Sequence, residues 1–141
     1  MATITKFTDS TQKHEILPGY SGYLFNVIDF GLQAVAQNDV VQALKVPANC
    51  LIKNVRTVVA TAEGAICTSQ VGDGDGATGW DASVNLNAAA NTATAGASGT
   101  DANVTTGKFY AADDTIDLTM QNAAATAKLY VFAAYERVPA N

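Results

Sequence analysis

A small all-β sandwich of about eight strands is what this sequence predicts. Three observations carry the prediction. Short apolar runs of strand length, separated by turn residues, recur from about residue 25 to residue 137. Apolar and polar residues alternate with period two in the last of these runs. Helical spacing is weak throughout, and only residues 31–38 (GLQAVAQN) could form a helical turn. A chain of 141 residues suits one domain with a sizeable core.

Taken in order, residues 1–24 read as an extended N-terminal arm, Thr-rich and broken by Pro18-Gly19 and Gly22. The arm carries Phe7, Ile16, Leu17 and Tyr20, which no strand pairing accounts for. It is therefore expected to dock on a neighbouring subunit or a larger assembly rather than on its own core. The sandwich domain proper spans residues 25–141. Its first runs are 25–30 and 40–46, followed by the turn signal Pro47-Ala48-Asn49. A long β-branched run, 51–60, and a shorter one, 65–71, read as a hairpin turning at Thr61-Ala62-Glu63-Gly64. Arg56 and Asn54 share a face with Val58, so the core side of that pair stays open. A Gly/Asp loop leads to 80–86.

Residues 87–106 form an Ala/Thr/Gly/Asn insertion without bulky side chains, which reads as a surface loop or as a loop draped over a neighbour. The runs 108–111, 115–121 and 128–138 complete the set. Ile116, Leu118 and Met120 alternate with Asp117, Thr119 and Gln121. A turn at 122–126 would set Met120 opposite Leu129 and Leu118 opposite Val131. Tyr130, Phe132 and Ala134 then lie on the other face, and aromatics there predict that this face is covered by the arm or by a subunit.

Charged residues make up only 15% of the chain and the net charge is −5. The eight Lys and Arg are scattered singly, so direct nucleic-acid binding and an anionic membrane surface are both unexpected. No segment resembles a signal peptide and no run reaches about 18 apolar residues, which predicts synthesis in a cytoplasm and no membrane span. In the predicted hairpin Cys67 lies opposite Val58 and Cys50 near Asp75, too far apart for a bridge, so both thiols are expected free.

Catalytic and metal chemistry find little support. The single histidine, His14, lies in the arm without a scaffold for a triad. Two cysteines and one distant histidine match no zinc spacing. The stretch Val71-Gly72-Asp73-Gly74-Asp75-Gly76 invites a calcium reading, but Ala77, Thr78 and Val84 occupy the next ligand and turn positions of such a loop. A Gly/Asp turn is the simpler reading, and Asp113-Asp114 reads as another turn. Trp80 is expected in the core or at an interface. No cofactor is expected and no residue is assigned a catalytic role.

The segment 44–86, LKVPANCLIKNVRTVVATAEGAICTSQVGDGDGATGWDASVNL, together with the late AKLYVFAAYERV strand, resembles small virion proteins of tailed double-stranded DNA bacteriophages. The resemblance lies in 44–64, in the 71–80 turn and in 127–138. It implies a jelly-roll-like β-sandwich acting as a capsid decoration (cement) protein at the surface of the virion. The implied partners are the major capsid protein and further copies of this chain, with a homotrimer favoured. On this reading Phe7, Ile16, Leu17, Tyr20, Tyr130 and Phe132 are the interface residues. A neck, collar or tail role is the alternative. A carbohydrate-binding sandwich, resting on Asp73, Asp75 and Trp80, is the other.

Overall fold

The computed structural model describes residues 1–4, 21–95 and 103–139. Among them run ten strands and no helix. These are β1 (Thr3–Ile4), β2 (Ser21–Asp29), β3 (Val40–Val46), β4 (Cys50–Thr61) and β5 (Thr68–Asp73). Then follow β6 (Gly76–Asn85), β7 (Thr92–Ala95), β8 (Lys108–Tyr110), β9 (Asp114–Met120) and β10 (Lys128–Arg137). One sheet has the order β1-β3-β9-β5-β6; the other has β2-β10-β4-β7, with β8 also pairing β4.

The eight longer-range elements pair in a nested way. β2 pairs β10, β3 pairs β9, β4 pairs β8, and β5 pairs β6. First meets last and each inner pair meets in turn, which is the jelly-roll arrangement the resemblance implied. The two short strands β1 and β7 are additions at the edges.

This topology corrects both predicted hairpins. β4 and β5 lie in different sheets, as do β9 and β10. Leu118 pairs with Val41 and Val71, and Met120 with Ser69. Leu129 pairs with Ile28 and Val59, and Val131 with Asn26 and Thr57. The two apolar sets do share one core, but they reach it from opposite sheets. A period-two pattern fixes which face of a strand is apolar; it is satisfied equally by a hairpin partner and by a strand across the core. The thiols are free and buried as expected, yet for a different reason: Cys50 pairs with Arg137 and Tyr110 in one sheet, whereas Cys67 immediately precedes β5 of the other.

Between the sheets lies one core, with Phe30, Leu44, Ile52, Trp80, Leu118 and Leu129 fully enclosed. β4 turns Ile52, Val55, Thr57 and Val59 inward and Asn54, Arg56 and Val58 outward, which settles the side left open by the sequence. Residues 31–38 form turns rather than a helix. Asn38, Asn49 and Asn91 adopt left-handed φ of 68°, 59° and 67° at turns, a conformation asparagine tolerates better than most residues. The 87–106 insertion is only partly a loop. Thr92–Ala95 pairs with Val59–Arg56 of β4 and widens the second sheet.

Two carboxylates lock one end of the roll, around the connection from β9 to β10. Glu63 Oε2 accepts the backbone N–H groups of Ala125, Thr126 and Ala127 at 3.1, 3.0 and 2.9 Å, and Oε1 accepts the Thr126 hydroxyl at 2.9 Å. Asp39 accepts the N–H of Ala2 and of Ala36, each at 2.9 Å, and so holds β1 beside β3.

Candidate functional site

The outer face of the second sheet is built by strands whose inward residues fill the core. Leu24, Asn26 and Ile28 of β2 point inward, which forces Tyr23, Phe25 and Val27 outward. Leu129, Val131, Ala133 and Tyr135 of β10 do the same for Tyr130, Phe132 and Ala134. Register then aligns three rows across the sheet. Tyr23 meets Ala134, which meets Asn54; Phe25 meets Phe132, which meets Arg56; Val27 meets Tyr130, which meets Val58. Ala93 of β7 extends the last row.

The rings cluster. Phe25 lies 4.9 Å from Phe132 and 6.0 Å from Tyr130, centroid to centroid, with tilted planes. Such geometry is favourable for aromatic pairs. Tyr23 is 68% exposed and Phe25 40%. Ion pairs border the rows at both ends, Lys53 with Glu136 at one and Lys128 with Asp29 (3.3 Å) at the other. Arg56 stands in the middle row and makes no salt bridge among the described residues. An aromatic centre with one arginine inside a charged rim is the composition of a protein–protein contact surface.

Of the six predicted interface residues, Tyr130 and Phe132 stand together at the centre of this face. Phe7, Ile16, Leu17 and Tyr20 lie outside the described residues, as does His14. Tyr23, Phe25 and Arg56 were missed. Their signal was present in the sequence as the off-phase set of the first run and of the long β-branched run. Tyr130 and Phe132 were expected to be covered; within this chain the described residues leave them half-buried, beside an exposed Phe25.

The Gly/Asp turn is a second cluster of chemistry-bearing groups. Lys108 Nζ lies 2.9 Å from Asp73 Oδ2 and 2.8 Å from Asp75 Oδ2. The Tyr110 hydroxyl donates to Asp73 Oδ2 at 2.6 Å, and Trp80 Nε1 donates to the Tyr110 oxygen at 3.4 Å. Asp73 Oδ1 accepts the N–H of Asp75 and of Gly76. Burial opposes the charge on Asp73, but the Tyr110 and Lys108 hydrogen bonds and the Asp75 amide outweigh it and hold the carboxyl below its ordinary range. Burial pushes the Tyr110 hydroxyl upward, and the bond to Asp73 pushes it further. Gly72 is required here, because a Cβ at that position would fall 1.9 Å from the Gly76 carbonyl oxygen.

This clasp ties β5 and β6 of one sheet to β8 of the other. It also answers the calcium reading: the Lys108 ammonium already occupies the place between the two carboxylates where a cation would be held. Among the described residues no cluster of three His, Cys, Asp or Glu has metal-binding geometry. Calcium at millimolar concentration, or a chelator, is expected to leave the melting temperature unchanged. A rise of several degrees with calcium would show that the ion displaces Lys108. Trp80 is enclosed in the core, so Asp73, Asp75 and Trp80 offer no exposed sugar platform. Asp113 precedes β9 and accepts the N–H of Ala48, whereas Asp114, read as a turn residue, is the first residue of β9 and accepts the N–H of Thr115.

No protein-family model matches this chain, and no curated protein matches it in sequence. Solved structures do match in fold. A chain from the capsid of Ralstonia phage GP4 superimposes with a TM-score of 0.68 at 14% identity, over 98% of this chain and 99% of that one. A chain from the acid-stable capsid of Helicobacter pylori bacteriophage KHP30 gives 0.59 at 14% identity, over 84% and 89%. One from the capsid asymmetric unit of cyanophage Pam1 gives 0.54 at 14%, over 91% and 95%. At this identity the likeness establishes a shared jelly-roll fold.

Proposed function

We propose that this chain is a structural protein of a bacteriophage virion, and more narrowly a decoration protein that stabilises the capsid shell by binding without chemistry. The observation that carries the reading is the aromatic outer face of the second sheet, on a fold shared over nearly its whole length with chains of phage capsids. Tyr130 and Phe132, joined by Tyr23, Phe25 and Arg56, form the contact surface. The arm residues Phe7, Ile16, Leu17 and Tyr20 add apolar contacts to a neighbouring copy or to the major capsid protein. Burying such a face gives each contact modest affinity, and repetition over a symmetric shell multiplies it. Homotrimers at three-fold or quasi-three-fold positions are the favoured arrangement.

Adding purified chain to particles that lack it tests this reading. Saturable binding at a fixed number of copies per shell, together with a raised temperature of particle disruption, is the expected result. Binding in a few copies confined to one vertex would assign the chain to the neck or tail. No binding to the particle would end the virion reading.

A further inference from the structure

Asp117 differs from the buried acids Glu63, Asp39 and Asp73. It lies on the outward side of β9, paired with Gln42 of β3 and with Gly72 of β5. It is 9% exposed, and its Oδ1 has no hydrogen-bond partner. Glu63, Asp39 and Asp73 each place both carboxylate oxygens on donors. A buried carboxylate oxygen without a donor disfavours the charged form.

Among the described residues no neighbouring cation offsets this. Gln42 on β3 is neutral, and Lys45 of the same strand pairs at Thr115 and is exposed. On β9 itself Asp114 adds a like charge, and on β5 Asp73 adds another, one residue beyond Gly72. Lys108 and Tyr110 of β8 are already engaged with Asp73. Asp75, in the turn, is held by Lys108. A hydrogen bond from Thr115 favours the charge but is the smaller effect. Burial first, then the two aspartates, raise the Asp117 carboxyl to about 6.

The structure around it is an end of the roll with few independent anchors. β8 has only three residues and pairs β4 alone. The turn before it is tied to β6 by the Asn103 N–H donating to the Gly79 carbonyl at 2.9 Å. The clasp from Asp73 to Lys108 and Tyr110, with Trp80 Nε1 on the Tyr110 oxygen, ties the two sheets at this end. Asp117 lies directly behind it through Gly72.

We propose that Asp117 is a proton-governed latch on this clasp. With its carboxyl protonated, the Asp73–Lys108–Tyr110 contact closes the end formed by the β5–β6 turn and β8. With it ionised, an uncompensated buried charge next to Gly72–Asp73 loosens that end. The direction follows from linkage. The folded protein holds this proton more tightly than the unfolded chain, so the group's contribution to stability is full below about pH 4 and declines as pH rises through about 6. The inference concerns the fold alone and stands apart from what the protein binds.

Hydrogen exchange on the full chain at pH 5 and pH 7.5, corrected for intrinsic rates, tests it. Peptides covering 72–80 and 103–110 are expected to exchange about tenfold faster at pH 7.5. Peptides from β2 and β10 should not change. In Asp117→Asn the same end should stay protected at both values. Equal protection at both pH values in the unaltered protein would overturn the latch, as would an Asp117→Asn variant that loosens just as the unaltered protein does. A carboxyl carbon titration by NMR needs no variant: a midpoint between about 5 and 7 for Asp117 supports the proposal, and one below about 4.5 refutes it.

Discussion

Replacing Glu63 by alanine is expected to destabilise the fold by about 4 kcal/mol, the largest effect of any single polar substitution foreseen for this chain. Its carboxylate collects three backbone amides and a hydroxyl from the 125–127 turn, and its own N–H donates to the Leu86 carbonyl. Removing it leaves three amides of a partly buried turn without an acceptor. The same carboxylate gives the protein a pH dependence. Burial opposes its charge, but the hydrogen bonds from Thr126, Ala127 and Ala125 prevail and lower it from 4.5 to about 2. Its stabilisation, about 3 kcal/mol, is therefore complete above about pH 4.5 and is lost as pH falls toward 2. Urea unfolding at pH 7 and pH 3 measures both effects. Glu63→Ala should lose about half of its stability deficit at the lower pH, because the carboxyl of the unaltered protein is still largely ionised there. A deficit under 1 kcal/mol at pH 7 would show that water replaces the carboxylate.

Phe132→Asp is expected to weaken binding to the particle about 100-fold while leaving the sandwich folded. Phe132 lies at the centre of the aromatic rows, between Phe25 and Arg56. A carboxylate there must be desolvated in any apolar contact. The folded chain loses one aromatic pair, worth about 1 kcal/mol, because the side chain faces away from the core. Arg56→Ala should weaken binding by about tenfold, through loss of one charge-assisted contact. Titration of particles with each variant, alongside thermal melts, separates binding from folding. Unchanged affinity in Phe132→Asp would move the contact to another surface.

The longer strands were legible as apolar runs, and β9 and β10 carry a clear period-two record, whereas the short β1 and β7 fell in segments read as an arm and a loop. The run 40–46 coincides with β3, the 51–60 run falls one residue short of β4 at each end, and the 128–138 run passes the end of β10 by one residue. The partners were not legible. In a jelly roll consecutive strands mostly alternate between sheets, so among the described residues only β5 and β6 form a local hairpin, and β2 finds β10 across about a hundred residues. That distance also hid Phe25 and Tyr23 from the aromatic face, although Tyr130 and Phe132 betrayed it by standing off-phase to the core set. The clasp was half visible. Asp73 and Asp75 marked a turn with two carboxylates, but Lys108 is 35 residues from Asp73, and no local pattern names it as their counter-charge. Glu63 was read into a hairpin turn, but it lies in the connection between β4 of one sheet and β5 of the other, and its role depends on a loop 62 to 64 residues away.

The most direct test of the account is a symmetry-resolved map of the parent particle. Jelly-roll density for this chain is expected on the outside of the shell, repeated at every equivalent position. The sheet β2-β10-β4-β7 should turn Phe25, Tyr130 and Phe132 toward a capsid protein or a second copy. Density for the chain only at a single vertex, or a shell in which that aromatic face looks out to solvent, would contradict it.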